Sequence, residues 1–190
     1  MKKTLLTLSL LFCLFSQMQA FVKDSIFVNT GGQKRNMIVF RPNTYESGVP
    51  LMIVTHGMNQ SPEYQYDSDK FYTMVDTAKF VVAYLRSDGN TWDIGGTKDI
   101  NFVKASITKL EQDYGIDTNR VYWSGFSMGS MLIYHAIPTM YNKIAAFAPT
   151  SGIHFPVSLG TTVRSLFRSS MCMLTTMTCL ATPNMAFTTM

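Results

Sequence analysis

The sequence predicts an α/β fold, a mostly parallel sheet with helices on both faces, entered through an antiparallel hairpin. Three observations predict it. Apolar, β-prone runs at 51–54, 80–85, 121–123 and 144–148 have the length and continuity of strands buried on both faces. Stretches with apolar residues at helical spacing separate them. Near the start of the chain, Gly31-Gly32 sits between two further β-like runs, which is the chemistry of a tight hairpin turn.

In chain order, residues 25–29 and 35–41 form that hairpin, and Pro42 ends its second strand. A polar loop leads into the strand at 51–54, which runs on into Thr55-His56-Gly57-Met58-Asn59. Residues 68–80 place Phe71, Met74, Val75 and Ala78 at helical spacing before the next strand at 80–85. From Asp99 to Tyr114, the positions Ile100, Val103, Ile107, Leu110 and Tyr114 share one helical face, with an acid in the first turn and Gly115 as the stop. Arg120 opens the next strand. It passes through Gly125-Phe126-Ser127-Met128-Gly129 into a short amphipathic helix carrying Met131, Leu132, Tyr134 and His135, which Pro138 and Tyr141-Asn142 bring to an end. A last apolar strand at 144–148 precedes Pro149-Thr150-Ser151-Gly152.

At 190 residues the chain suffices for one domain. Met1-Lys2-Lys3, the apolar run 5–15 and the small residue Ala20 read as a secretory leader over 1–20. Its apolar run is shorter than the roughly 20 residues that span a bilayer, so the expectation is a secreted protein without a stable membrane anchor. The net charge of +4 lies in Lys2, Lys3, Arg164 and Arg168, because between 21 and 157 twelve basic residues balance twelve acidic ones. No basic cluster with interleaved aromatics appears, so nucleic acid is excluded as a partner. Cys13 leaves with the leader and only Cys172 and Cys179 remain, which is no disulfide framework. The fourteen methionines fall at no metal-binding spacing, and neither metal nor cofactor is expected.

The chemistry points to Ser127. A strand, a sharp Gly-x-Ser-x-Gly turn and a helix present a serine at the tip of a central strand, and the turn needs small residues on either side so that strand and helix can pass closely. Gly125 and Gly129 meet that need. A serine hydroxyl attacks a carbonyl only when a base takes its proton, and the oxyanion formed must meet fixed N–H donors. The backbone N–H of Met128, directly after the serine, is one candidate donor, and the N–H of Met58, on the loop after the strand at 51–54, is the second. His56 is read as shaping that loop, since a base there would crowd the oxyanion site. His135 reads as a packed or surface histidine. His154 lies near a strand's C-terminal edge but leaves no room for an acid between itself and Ser127. Trp92 suits either a substrate platform or the core.

Thr55-His56-Gly57, Trp92, the run 99–103, Tyr114-Gly115-Ile116-Asp117 with Arg120-Val121-Tyr122, the elbow at 125–131 and the run 145–152 together resemble the secreted polyhydroxybutyrate depolymerase and feruloyl or acetylxylan esterase group of α/β-hydrolases. The resemblance covers about 25–152. It implies the α/β-hydrolase fold and an ester substrate, often an acyl group carried on plant cell-wall polysaccharide.

The resemblance also implies an acid after the next strand and a histidine beyond it, yet 157–190 contains no Asp, Glu, Lys or His. The chain therefore divides into a leader at 1–20, the N-terminal portion of an α/β-hydrolase domain at 21–157, and an aberrant Thr/Met/Ser-rich tail at 158–190. One reading frame away, the codons of the tail permit Pro-Val-Ile-His-Val-His-Ala-x-x-Asp-Asp-Val, forcing Val across Met171/Cys172 and Asp across Met177/Thr178. The expectation is a frame shift between about Gly152 and Ser165. As written, the strand at 144–148 would become an apolar sheet edge. Two readings stand at this point, a secreted serine esterase and a non-catalytic α/β-hydrolase-like protein that lacks the acid and histidine.

Overall fold

The computed structural model describes residues 21–153, 171–174 and 177–181. The expected leader, His154 and the remainder of the tail lie outside the described residues.

Strands β1 (Phe21–Thr30) and β2 (Gln33–Pro42) pair antiparallel from Phe21↔Pro42 to Thr30↔Gln33. Gly31 and Gly32 are thus the whole loop, with φ of 58° and 77°. Two consecutive positive φ values define the type I′ turn, whose twist matches that of the strands it joins. Beyond the hairpin come β3 (Val49–Thr55), β4 (Val81–Leu85), β5 (Ile116–Phe126), β6 (Ala146–Thr150), β7 (Met171–Leu174) and β8 (Met177–Ala181). They complete an eight-stranded sheet ordered β1-β2-β4-β3-β5-β6-β8-β7. The β4-β3-β5-β6 centre is parallel, and both flanks are antiparallel.

One flank departs from expectation. Strand β6 is not an open edge, because β8 lies antiparallel against it at Ala146↔Ala181, Phe147↔Leu180 and Thr150↔Met177. The row of free N–H and C=O groups on an exposed strand recruits whatever β-capable backbone is within reach.

Helices α1 (Pro62–Asp69) and α2 (Val75–Ala78), with a 3₁₀ turn at Phe71–Met74 between them, pack on one face, while α3 (Lys98–Tyr114) and α4 (Met128–Met140) pack on the other. The single helix expected over 68–80 is broken at Lys70, which takes a left-handed φ of 58°. The Asp69 carboxylate accepts from the Tyr84 hydroxyl at 2.5 Å and the Phe71 N–H at 3.1 Å, and these bonds turn the chain back onto the sheet. Helix α3 follows expectation, burying Ile100, Val103, Ile107 and Leu110 and closing at Gly115. Strand β5 begins at Ile116, earlier than the expected Arg120.

The α1 face is aromatic. The Phe40 ring meets Phe21, Tyr66, Tyr72 and Tyr84 at centroid distances between 4.8 and 5.9 Å, mostly edge to face. The α3/α4 face is built on Trp123, Leu132, Ile133 and Phe147, all buried. Among the described residues no helix is long and apolar enough to cross a membrane.

Candidate active site

The site grows from the register of β3 on β5, in which Thr55 pairs with Gly125. The chain leaving β3 therefore passes directly beside the turn that leaves β5. That passage is too close for side chains. A Cβ on Gly129 would lie 2.3 Å from the Thr55 carbonyl oxygen and 2.8 Å from that of His56. One on Gly125 would lie 2.7 Å from the Gly129 carbonyl and from Thr55 Oγ1. The buried Thr55 hydroxyl braces the crossing, accepting from Trp123 Nε1 at 3.1 Å and lying 3.2 Å from the Gly129 carbonyl oxygen.

Between those glycines Ser127 has φ 50° and ψ −113°, a region that residues with a side chain rarely adopt. Such a conformation costs about 1–3 kcal/mol and persists only where the surroundings over-determine it. Here they do. The Ser127 N–H donates to the Thr150 carbonyl at 2.9 Å, and the Ser127 carbonyl accepts from the N–H groups of Ser130 and Met131 at 3.0 and 3.2 Å. The buried Ser130 hydroxyl sits 2.6 Å from the carbonyls of both Gly125 and Thr150 and accepts the Thr150 N–H at 2.7 Å, tying β5, β6 and α4 at one atom. Gly152 closes the turn from behind, since a Cβ there would meet Ser130 Cβ at 2.3 Å. Ser127 itself is half-buried.

Met128 is the first residue of α4, where a backbone N–H has no intrahelical acceptor. Met58 lies in the turn closed by the Gln60 N–H on the Gly57 carbonyl at 3.3 Å. The Phe126 ring approaches Gly57, with Phe126 Cδ1 3.2 Å from where a Gly57 Cβ would be, so the two loops are in contact. Met58, Phe126 and Ile153 border the elbow as exposed apolar side chains.

His56 is 1% exposed and shapes its loop, as expected. Its Nε2 accepts the Ser87 N–H at 3.2 Å, so its Nδ1 carries the proton and donates to the Gly57 carbonyl at 2.7 Å. Only the neutral ring can accept at Nε2, whereas the bond to the Gly57 carbonyl would survive protonation. Burial lowers the His56 pKa, with the Gly57 carbonyl opposing. The sign follows: the unfolded chain takes up the proton first as pH falls, so stability present above the ordinary histidine value of about 6.5 is lost below it. Urea midpoints should therefore fall between about pH 7 and pH 5, and a His56→Gln variant should shed that part of the slope.

Trp92 is 2% exposed, and its indole N–H donates to the His56 carbonyl at 2.7 Å. Of the two roles expected for it, this burial favours the core. His135 is half-buried on α4 and hydrogen-bonded to the Gly96 carbonyl at 2.7 Å. Neither described histidine bonds to Ser127.

The sequence reading missed the ion pair beneath this loop. Arg35 and Asp99 meet at 2.7 Å and are 4% and 1% exposed. Nearby, burial alone would raise the Asp93 carboxyl, but the N–H groups of Lys98, Gly96 and Gly95 override it and hold it below the usual range. A surface depression of about 510 Å³ lined by Tyr45, Glu46, Lys79 and Arg120 opens where β3 begins, at the opposite end of the sheet from Ser127.

No family model matches the sequence. The chain is 46% identical over 123 residues to the bifunctional acetylxylan esterase/xylanase XynS20E of Neocallimastix patriciarum, a match covering 64% of this chain and 18% of that protein. It is 24% identical over 127 residues to acetylxylan esterase A of Aspergillus ficuum, covering 62% of this chain and 42% of that one. The chain thus spans less than half the length of these curated relatives. Among solved structures, the acetyl xylan esterase from Aspergillus awamori superposes with a TM-score of 0.65 at 20% identity, over 74% of this chain and 56% of that one. FphF, a fluorophosphonate-binding serine hydrolase of Staphylococcus aureus, gives 0.58 at 14% identity, over 74% and 63%. The expected α/β-hydrolase fold and the resemblance to the esterase group are borne out.

Proposed function

We propose that this α/β-hydrolase, which resembles the acetylxylan esterases over most of its described length, is a serine carboxylic-ester hydrolase acting on acetyl esters of xylan. The observation that carries the reading is Ser127 held at φ 50° and ψ −113° between two glycines that admit no side chain. In this reading Ser127 Oγ attacks the acetyl carbonyl as a base takes its proton, the sugar alcohol leaves, and water then releases acetate from the acyl-enzyme. The N–H groups of Met128 and Met58 receive the oxyanion, each worth about 10²–10³ in rate. A base for Ser127 is not found among the described residues, and we assign the acid and histidine to sequence that a frame shift near Gly152 to Ser165 has displaced. The leader at 1–20 supports export to where polysaccharide is met.

The absence of Asp, Glu and His from 157–190 favours a second reading, a non-catalytic product that keeps the serine without its base. One experiment separates the two. The full-length protein, with its reading frame restored beyond Gly152, is treated with a fluorophosphonate, digested and mapped by mass, and acetate release from acetylated xylan is followed in parallel. An adduct on Ser127 with acetate release is the expected result. An adduct elsewhere overturns the assignment of Ser127, and neither adduct nor acetate establishes the non-catalytic reading.

A further inference from the structure

The loop between β4 and α3 is fastened at both ends to one buried ion pair. Arg35 Nη2 donates to the Arg86 carbonyl at 3.0 Å while it meets Asp99 Oδ1 at 2.7 Å, and Asp99 Oδ2 accepts the Asp93 N–H at 2.6 Å. Residues 86 and 93 are therefore held by two side chains that also hold each other. Between these anchors the loop makes three hydrogen bonds to the segment 56–59 among the described residues. Ser87 N–H donates to His56 Nε2 at 3.2 Å, Trp92 Nε1–H to the His56 carbonyl at 2.7 Å, and Asn59 N–H to the Asn90 carbonyl at 2.8 Å. Met58 lies between the second and third of these attachments.

We infer that Trp92 and the Arg35–Asp99 pair are positioning residues for the Met58 N–H, holding the second oxyanion donor at a fixed place beside Ser127. This rests on the serine-hydrolase reading for its catalytic part, though the tether itself does not. Its logic is that an oxyanion donor contributes only if it is already in place when charge develops, and a turn such as 57–60 has few bonds of its own. The pair is poorly explained by stability alone. Buried ion pairs seldom stabilise more than apolar residues of the same volume, and here Arg35 Nη1 is buried without a hydrogen-bond partner among the described residues. The guanidinium is instead oriented by stacking 4.3 Å from the Phe102 ring, which aims Nη2 at Asp99 and Arg86 together. A pair that fixes geometry at some energetic cost is the arrangement expected where loop position matters more than total stability.

The test uses the full-length protein with two variants. Trp92→Phe keeps a buried aromatic ring but removes the N–H together with part of the ring's volume, while Asp99→Asn keeps the shape and removes the charge that orients Arg35. Lys109→Ala, on a surface pair, serves as the control. Amide hydrogen exchange is read at 57–59 and kcat and KM are read on an acetyl ester. Trp92→Phe is expected to speed exchange of the Asn59 amide about tenfold, the effect of loosening a local hydrogen bond. It should lower kcat by about 10-fold to 10²-fold with KM changed less than about twofold, because a misplaced oxyanion donor is felt in the transition state. Asp99→Asn should act in the same direction and more strongly, and if it fails to fold the Trp92 variant decides alone. Unchanged exchange at 57–59 in Trp92→Phe overturns the tether. Faster exchange with a change in KM alone overturns its catalytic meaning. Equal turnover by the parent and its Ser127→Ala variant would instead sink the serine reading, leaving the exchange result to judge the tether independently.

Discussion

Ser127→Ala is expected to bring ester turnover by the full-length protein down by about 10⁴-fold or more, to what the oxyanion donors and binding supply without a nucleophile. The backbone should not follow. An alanine at 127 has the same Cβ and so tolerates φ 50° and ψ −113° no worse than serine does. The bonds that shape the turn, Ser127 N–H to Thr150 and the Ser130 hydroxyl to Gly125 and Thr150, come from groups that the substitution leaves alone. Urea midpoint and circular dichroism should be unchanged within error while acetate release disappears. A variant that keeps its rate would show that another group carries the reaction. A variant that unfolds would show that the Ser127 hydroxyl has a structural role no hydrogen bond in the turn accounts for.

Gly129→Ala should produce the opposite pairing, with fold and activity lost together. The added carbon would stand 2.3 Å from the Thr55 carbonyl oxygen and 2.7 Å from its carbon, and both of those atoms are backbone of a central strand. A flexible side chain could swing away from such a contact, whereas β3 is locked between β4 and β5. Overpacking of this kind ordinarily costs about 1–3 kcal/mol, and the rigid neighbour places this site at or above the top of that range. The relief open to the chain is to lift α4 from β5, which pulls Met128 and Ser127 away from the 56–58 loop. Thermal unfolding should therefore drop by several degrees, and whatever protein remains folded should be largely inactive. A midpoint equal to that of the parent would mean that the strand and helix are farther apart than described here.

How far each of these features could be foreseen depends on whether its cause is local. The hairpin was legible because Gly31-Gly32 can satisfy two positive φ values and little else fits between two β-prone runs. The inward face of α3 was legible because a helix repeats its burial every three or four residues, and the elbow because its steric demand falls on two positions at fixed spacing. The Arg35–Asp99 pair was not legible. Its partners are 64 residues apart, and Asp99 in a first helical turn has a sufficient local explanation as a charge facing the dipole. The break at Lys70 was missed for a related reason: a non-glycine residue at positive φ carries no mark in the sequence, and what imposes it is the capture of Asp69 by Tyr84. Trp92 stayed ambiguous because a lone aromatic in a loop has no period to declare its face. The pairing of β8 with β6 depends on an edge being available, which is a property of the sheet and not of 177–181.

The bonds around Ser127 also have an order in time. Thr55, His56 and Gly57 are made well before the serine, but Thr150, which takes the Ser127 N–H, and Gly152, which closes the turn, are made after it. During synthesis the chain leaves the ribosome from its N-terminus. The hairpin β1–β2 can assemble from neighbours as it emerges, whereas the turn at Ser127 lacks its bond to Thr150 until β6 has followed. The Ser127 turn is thus completed late in translation, and a nascent chain paused between 127 and 150 would carry the serine without the bond to Thr150 and the backing of Gly152.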